Sequence, residues 1–358
     1  IFQSYVDQIL STGWLTNNGA MVQKLEEELK KFLHADYLIL TVNGTCALQL
    51  AIKLLGLRGE VITSPFTFVA TVSSLVWEGI TPVFADIDEK TLNIDPAKIE
   101  EQITSKTSAI LPVHVFGNPC AVDGIQRIAQ NKNLYVIYDA AHAFDVRLGT
   151  TSICDFGDIS VYSFHSTKIF HTIEGGALVI RSEELYRKAQ LMRNFGIPGY
   201  DRITELGVNF KMNEFQAAMG LCVLKDFGDI SILRKRVYMR YKEAFVSLTT
   251  IQLQEVNADA DCNYSYFPVI FRDEETLLVI KDKLNSKEIF PRRYFYPSLN
   301  KLPYLQTYQQ VPVSESIASR VLCLPLYYDL DPAIQDQIIE TIIKNSSYGN
   351  FFLFQRRT

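Results

Sequence analysis

Short apolar runs alternate with helix-length segments from Tyr37 to about Arg181. The runs are rich in β-branched residues and read YLILTVN, EVITS, TPVFADI, SAILPVHVF, NLYVIYDA, DISVYSF and GALVIR. Runs that are apolar at consecutive positions are typical of strands buried on both faces. Helical segments such as CALQLAIKLLG and DGIQRIAQNKN lie between the runs. This alternation predicts an α/β domain with a mainly parallel sheet and helices on both sides.

The pattern changes after Asn209. The helical stretch NEFQAAMGLCVLKDF and the basic amphipathic stretch ILRKRVYMRYKEAF precede a mixed segment, which we interpret as a smaller α/β domain. Since no Gly/Ser-rich linker or internal repeat separates the two units, we expect them to pack tightly. We predict a large domain over residues 1–229, a small C-terminal domain over 230–346 and an aromatic, basic tail over 347–358.

Composition narrows the choice of partners and compartment. The net charge of -5 provides no basic face for nucleic acid, and no apolar run approaches the length of a membrane helix. No signal segment opens the chain, so we expect a cytoplasmic protein without nucleic-acid or membrane partners. The six cysteines have neither CxxC nor cysteine–histidine ligand spacing, which indicates reduced thiols and no metal site. The chain begins with Ile1, and we expect native residues before it.

Polar residues follow the ends of several predicted strands. Because parallel α/β sheets bind ligands beyond the carboxyl ends of their strands, these positions are candidates for a site. Gly44 and Thr45 lie between a strand and a helix, where free amides form an anion site, although an ordinary turn with a threonine cap is an alternative. Asp139 ends another strand, and its alternatives are a capping residue or a metal ligand.

Lys168 lies on a loop after the strand DISVYSF. An exposed lysine is the simple alternative, but its neighbours are hydroxyls, histidines and aromatics rather than surface charges. A partly desolvated amine has a lowered pKa and can form a Schiff base. A phosphate site, a strand-end Asp139 and Lys168 are together the three fixed points that bound pyridoxal phosphate requires. The Asp would keep the pyridine nitrogen protonated, and the helix amides would bind the phosphate.

Longer motifs resemble the DegT/StrS family of sugar aminotransferases. They extend over nearly the whole chain and include STGWLTNNGAMVQKLEEELKKF, VNGTCALQLAI, SPFTFVATVSSL, VHVFGNPC, VIYDAAHAF, SFHSTKIFHTIEGGALV, GVNFKMNEFQAAMGL, PRRYFYPSL and LCLPLYYDL. The resemblance implies the fold type I of pyridoxal-phosphate-dependent transferases. It implies that Lys168 binds the cofactor covalently and that Asp139 is the partner of the pyridine nitrogen.

The same resemblance assigns the remaining site residues. Gly44, Thr45 and Ser163 would hold the phosphate, and Phe68 would stack on the cofactor ring. Asn209 would reach the phosphate of a neighbouring subunit, which implies a homodimer with shared active sites. His142 would lie near the cofactor's phenolic oxygen. The candidates on the substrate side are His171 and the run Arg292, Arg293, Tyr294 and Tyr296 in PRRYFYP. Alternatives stay open: Phe68 as core, His165 and His171 as structural histidines, and PRRYFYP as a solvated basic turn.

The implied reaction consists of two half-reactions, in which an amino donor such as L-glutamate loads the cofactor and a nucleotide-linked keto sugar is then aminated. The motifs look most like the branch that aminates the C4 ketone of a dTDP-linked 6-deoxy sugar for O-antigen or other surface polysaccharides. A 3-keto or a UDP- or GDP-linked sugar, or a non-catalytic regulatory role, stays possible. Lys168 argues against the dehydratase branch, which typically has histidine there, and no GxGxxG supports a nicotinamide enzyme.

Overall fold

The structure is a computed structural model, and it describes residues 1–199, 201–305 and 307–346. The predicted tail, residues 347–358, lies outside the described residues. Numbered in chain order, the strands are β1 (Leu38–Thr41), β2 (Glu60–Thr63), β3 (Thr81–Phe84), β4 (Thr107–Leu111), β5 (Tyr135–Asp139), β6 (Arg147–Leu148), β7 (Thr151–Ser152), β8 (Ile159–Ser163), β9 (Gly176–Ile180), β10 (Ile251–Leu253), β11 (Ala260–Asp261), β12 (Pro268–Phe271) and β13 (Val321–Cys323).

The α-helices are distributed along the whole described chain. They are α1 (Phe2–Thr12), α2 (Ala20–Leu33), α3 (Gly44–Leu54), α4 (Val69–Trp77), α5 (Pro96–Glu101), α6 (Val122–Lys132), α7 (Glu183–Met192), α8 (Glu214–Phe245), α9 (Glu274–Asn285), α10 (Pro312–Arg320) and α11 (Pro332–Ser346). In the part of the chain that the structure describes, no helix is both long and apolar enough to span a bilayer.

All seven predicted strands belong to one sheet, in the order β1-β9-β8-β5-β4-β2-β3. The pairs β3–β2, β2–β4, β4–β5 and β5–β8 are parallel, which confirms the predicted α/β class. The exception is β9, which is antiparallel to both β8 and β1. The segment 164–175 between β8 and β9 contains no α-helix, and a parallel return normally needs a helical crossover.

Both faces of the large sheet are covered, as the apolar runs predicted. Successive side chains of β5 alternate between two cores: Val136 and Tyr138 face one, and Ile137 faces the other. The first core also contains residues of α2, α6 and the N-terminal half of α8, and the second contains residues of α3 and α7. The carboxyl ends of the parallel strands therefore lie between two helical layers.

The long helix α8 links the large sheet to a smaller one. Its residues up to Phe227 pack in the first core, and Val237, Tyr241 and Phe245 pack with α9, α11 and the antiparallel sheet β10-β12-β13. The predicted boundary after residue 229 falls inside this continuous helix. The division at 229/230 stays a prediction, and the packing of one helix into both cores explains why the sequence has no linker there.

Gly176 allows β9 to approach the start of α3, and Gly175 leaves room for the Thr172 side chain. A Cβ atom at Gly176 would lie 2.6 Å from the backbone carbonyl carbon of Asn43, and one at Gly175 would overlap the hydroxyl of Thr172. Backbone atoms cannot move aside as a flexible side chain can. The EGG motif is therefore required by packing at the base of the predicted phosphate site.

We expect Gly176→Ala to lower the free energy of unfolding by about 1–3 kcal/mol, because the added methyl group overpacks a rigid contact. Urea denaturation would measure the change. The matched control is Gly228→Ala in α8, where a Cβ atom meets nothing within 4 Å and alanine favours the helix. Equal stability of Gly176→Ala and the parent would contradict the packing argument.

Candidate active site

A cavity of about 910 Å³, including its open mouth, lies at the carboxyl ends of β5 and β8. Its wall brings together side chains that are far apart in the sequence. They are Asn43, Gly44, Thr45, Leu48, Thr67, Phe68, Ala70, Val113, Asp139, Ala141, His142, Val161, Tyr162, Ser163, His165, Thr167, Lys168, Glu174, Arg292, Tyr294 and Phe295. The predicted residues Gly44, Thr45, Phe68, Asp139, His142, Ser163, Lys168 and Tyr294 are all in this set.

Lys168 lies on the turn after β8, where its amide donates to the carbonyl of His165 at 2.9 Å. Its amine donates to the hydroxyl of Tyr266 at 3.2 Å. Burial lowers the pKa of Lys168 to about 8, and the nearby Asp139 carboxylate opposes this shift. At neutral pH about a tenth of the amine is therefore unprotonated, far more than for an ordinary lysine, and a nucleophile or a proton acceptor requires this form.

Asp139 ends β5 and is 5% exposed. Its Oδ2 accepts a hydrogen bond from the Thr71 hydroxyl at 2.8 Å, and its Oδ1 accepts one from the Ala141 amide at 3.1 Å. Burial raises the pKa of Asp139, while these hydrogen bonds and Lys168 oppose the shift. The carboxylate is thus held in one orientation at the cavity wall, where a cationic partner would stabilise its charge.

The phosphate candidates lie at the start of α3. Asn43 is the N-cap, and its side chain accepts from the Cys46 amide at 2.8 Å, so the alternative of a threonine cap is wrong. The amides of Gly44 and Thr45 belong to the first helical turn, where an α-helix offers no internal acceptor. A Cβ atom at Gly44 would lie 2.9 Å from the Cβ atom of Ser163, so only glycine allows this close approach.

Phe68 and His142 form apolar and polar parts of the wall. Phe68 precedes α4 and is 53% exposed, so the alternative of plain core is wrong. The Nδ1 atom of His142 accepts from the Phe116 amide at 3.2 Å, and its ring stacks on Phe295 at 5.7 Å. Burial lowers the pKa of His142 well below its ordinary value, so the imidazole is neutral and carries its proton on Nε2.

Four predicted residues do not line the cavity. The guanidinium of Arg293 has partners outside the cavity. Its Nη2 atom lies 2.6 Å from Oε1 of Glu274, and its Cζ atom lies 3.6 Å from the centroid of the Tyr296 ring. His171 accepts from the Ile173 amide at 3.4 Å, and Asn209 lies exposed on the loop before α8. Within the subunit, the structure therefore does not place Arg293, Tyr296, His171 or Asn209 at the cavity.

The structure separates the two arginines of the run PRRYFYP. Arg292, rather than Arg293, reaches the cavity and donates to the Tyr294 hydroxyl at 2.7 Å. The Nε2 atom of His165 lies 3.5 Å from Oε1 of Glu174, within the loop between β8 and β9. The sequence signal for Arg292 was the basic aromatic run itself, which cannot say which of two adjacent side chains faces inward. His114, which follows β4, is buried in the core, where its ring stacks on that of Tyr138.

Among the described residues, no group of three or more His, Cys, Asp or Glu side chains is placed to bind a metal ion. The alternative of Asp139 as a metal ligand therefore lacks partner ligands in this part of the chain. Its observed partners are a hydroxyl, an amide and the nearby lysine amine. Those partners suit a carboxylate that stabilises a cationic organic ring.

Comparison with known proteins identifies the family. The model of the DegT/DnrJ/EryC1/StrS aminotransferase family matches residues 2–343. The chain belongs to this family. It is 44% identical to the dTDP-4-amino-4,6-dideoxy-D-glucose transaminase of Shigella dysenteriae, covering 95% of this chain and 94% of that protein. It is 38% identical to the transaminase of the same description from Escherichia coli, covering 96% and 94%.

A solved structure has the same fold. DesI, crystallised in the presence of its TDP-sugar product, superposes with a TM-score of 0.92 at 31% identity, covering 100% of this chain and 92% of that chain. The family establishes that this protein is a pyridoxal-phosphate-dependent aminotransferase, as the sequence motifs predicted. The cavity fits that cofactor, because an amine, a buried carboxylate, an exposed aromatic ring and helix amides surround one space.

Proposed function

We propose that this aminotransferase transfers the amino group of L-glutamate to the C4 ketone of a dTDP-linked 4-keto-6-deoxyglucose. The product would be dTDP-4-amino-4,6-dideoxyglucose, for O-antigen or another surface polysaccharide. The names of the two transaminases with 44% and 38% identity support this substrate. The observation that carries the proposal is the meeting of Lys168, Asp139 and the α3 amides at one cavity.

The chain's own residues suggest how the cofactor is held. Lys168 would bind it covalently, and the amides of Gly44 and Thr45 with the Ser163 hydroxyl would bind its phosphate. Phe68 offers an exposed ring face, and Asp139 offers a carboxylate to the ring nitrogen. When bound, pyridoxal phosphate supplies an electron-accepting ring that stabilises negative charge on the substrate carbon.

Lys168 would also move the proton. Its lowered pKa, about 8, allows the amine to take a proton from the substrate carbon and return it to another atom near neutral pH. Asp139 would stay ionised beside a protonated ring nitrogen, since a cation offsets the cost of its burial. His142, held neutral, would donate from Nε2 rather than carry charge.

Polar side chains on the cavity wall suit a nucleotide sugar. Arg292 and Tyr294 are joined by a hydrogen bond and lie on the wall with His165 and Thr167. A guanidinium beside an aromatic ring suits a diphosphate and a stacked base. We therefore assign the substrate side to Arg292 and Tyr294, and within the subunit Arg293 supports that loop through Glu274.

The homodimer is part of the proposal. Asn209 lies on a loop whose apolar side chains are exposed: Ile203 is 76% exposed, Leu206 81% and Val208 43%. A second subunit would cover these side chains. Asn209 would then contact the phosphate in the partner's cavity, which explains why it lies outside its own. A cytoplasmic location accords with the six unpaired cysteines.

Mixing Lys168→Ala subunits with Asn209→Ala subunits is expected to give more activity than either variant has alone. In an isologous dimer, a residue given to the partner's site is matched by one received, so some mixed dimers keep one intact site. Subunit exchange is verified by mass spectrometry of differently tagged chains. No recovery despite proven exchange would place Asn209 in its own subunit's site or outside any site.

The nucleotide is tested by assaying dTDP-, UDP- and GDP-linked 4-keto-6-deoxy sugars side by side with L-glutamate. We expect kcat/KM to be highest for the dTDP sugar. Bleaching of the yellow enzyme by glutamate alone isolates the first half-reaction and separates the choice of donor from the choice of sugar. A preference for a UDP or GDP sugar would overturn the assignment of dTDP as the nucleotide. A failure of glutamate to bleach the enzyme would overturn the assignment of L-glutamate as the amino donor.

A further inference from the structure

The amine of Lys168 donates a hydrogen bond to a residue far away in the sequence, the hydroxyl of Tyr266 at 3.2 Å. Tyr266 lies just before β12, in the segment that follows the long helix, and it does not itself line the cavity. Its ring centroid is 5.8 Å from the Lys168 nitrogen. The contact therefore links the amine on the large sheet to the start of the small antiparallel sheet.

Aromatic neighbours fix the orientation of Tyr266. Its ring centroid lies 4.4 Å from that of His142, 5.5 Å from that of Phe116 and 5.9 Å from that of Tyr294. Rings packed on several sides have little freedom to rotate about χ1. The hydroxyl is therefore held near Lys168, whereas the lysine side chain has several rotatable bonds of its own.

Tyr266 accepts the hydrogen bond from Lys168 as a neutral phenol. Burial raises the pKa of Tyr266 above its ordinary range, so the hydroxyl is neutral. The ionisable groups around its ring are Tyr294, Cys323, Arg234 and Arg292. Those that face Lys168 are Asp139, Arg292 and His142. Among these groups, Tyr266 is the one that hydrogen-bonds the lysine amine directly.

We infer that Tyr266 is a positioning residue, whose hydroxyl holds the Lys168 amine at a fixed place on the cavity wall whenever that amine is not bound to the cofactor. The inference rests on the proposed function of Lys168. A long lysine side chain that is released in every cycle must return to the same place, and small misplacements of a reacting group slow a reaction strongly. Tyr266 would supply that place from a rigid aromatic cluster.

Tyr266→Phe tests this inference, because it removes the hydroxyl and keeps the ring. In cofactor-free enzyme, the pH dependence of Lys168 acetylation by acetic anhydride, read by peptide mass mapping, reports the pKa of the amine. A hydrogen bond to a charged amine is stronger than one to a neutral amine, so its loss should shift the midpoint down by about one pH unit. The second half-reaction of the loaded variant should slow by about 10- to 100-fold.

Tyr241→Phe is the matched control. Tyr241 is fully buried, and its hydroxyl donates to the carbonyl of Pro325 at 3.0 Å in the small-sheet core. It should destabilise the protein without moving the Lys168 midpoint. If Tyr266→Phe does not fold, 3-fluorotyrosine at position 266 keeps the shape with a weaker acceptor, and it should shift the midpoint in the same direction by less.

The inference is overturned if folded Tyr266→Phe has the parent's Lys168 midpoint and half-reaction rate. Borohydride trapping of the cofactor, mapped to its peptide, separates this outcome from a failure of the proposed function. Trapping on Lys168 in the parent enzyme, with unchanged kinetics in the variant, refutes only the role of Tyr266. Trapping on another residue refutes the role of Lys168, on which the inference depends.

Discussion

Replacing Lys168 by alanine is expected to lower turnover by about 1,000-fold or more, since positioned acid–base groups contribute up to about 10⁴. The variant loses both the covalent attachment and the group that moves the proton. It should still bind pyridoxal phosphate, because the α3 amides, Phe68 and Asp139 remain on the cavity wall. Steady-state kinetics measure the first effect, and equilibrium dialysis of the cofactor measures the second.

The matched control for this variant is Lys31→Ala. The side chain of Lys31 is 71% exposed and pairs with Glu28 on α2, so its loss should leave turnover unchanged. Added methylamine should partly restore Lys168→Ala, because a small free amine can enter the cavity and accept the proton. Turnover of Lys168→Ala near that of Lys31→Ala would show that another residue performs the chemistry.

Asp139→Asn is expected to slow both half-reactions by about 100- to 1,000-fold, as the loss of a preorganised electrostatic partner typically does. An asparagine oxygen can still accept from Thr71 or from Ala141, so the local fold should survive. A neutral amide cannot keep a ring nitrogen protonated, which weakens the electron-accepting power of the cofactor. Stopped-flow spectroscopy with glutamate, and separately with the keto sugar, measures the two rates.

Asp158→Asn is the control for Asp139→Asn. Asp158 lies just before β8, at the amino end of that strand and so away from the carboxyl ends that form the cavity, and its carboxylate accepts from the Val136 amide at 2.7 Å. Burial raises the pKa of both carboxyl groups. Because Asp158 lies away from the cavity, we expect its variant to keep the parent's rates. Near-parental rates in Asp139→Asn would instead make Asp139 a structural residue.

The parts of the site that were predictable from the sequence are those that local patterns encode. Strand ends mark Asp139 and Lys168, and a strand-to-helix turn marks Gly44, because each lies beside an apolar run of recognisable period. The seven strands followed from the same runs. The direction of β9 did not, because an apolar run looks the same in a parallel and in an antiparallel strand. The connection 164–175, which contains no α-helix, accounts for the antiparallel direction.

Residues that reach the site from the second half of the chain were harder to predict. In PRRYFYP, two adjacent arginines have the same local pattern, and only the folded chain shows that Arg292 faces the cavity while Arg293 pairs with Glu274. Tyr266 meets Lys168 because the small sheet packs against the large one, and no spacing in the sequence encodes that contact. Thr71, in α4 of the large domain, was also missed, because the sequence does not show which side chain of that helix faces Asp139.

The position of amination is decided by assaying two isomeric substrates, the 4-keto and the 3-keto forms of dTDP-linked 6-deoxyglucose, with L-glutamate as donor. Mass spectrometry detects the amino sugar, and NMR identifies the carbon that carries nitrogen. We expect amination at C4, with kcat/KM at least about 100-fold higher for the 4-keto isomer. Equal or faster amination of the 3-keto isomer, or no amination of the 4-keto sugar, would contradict it.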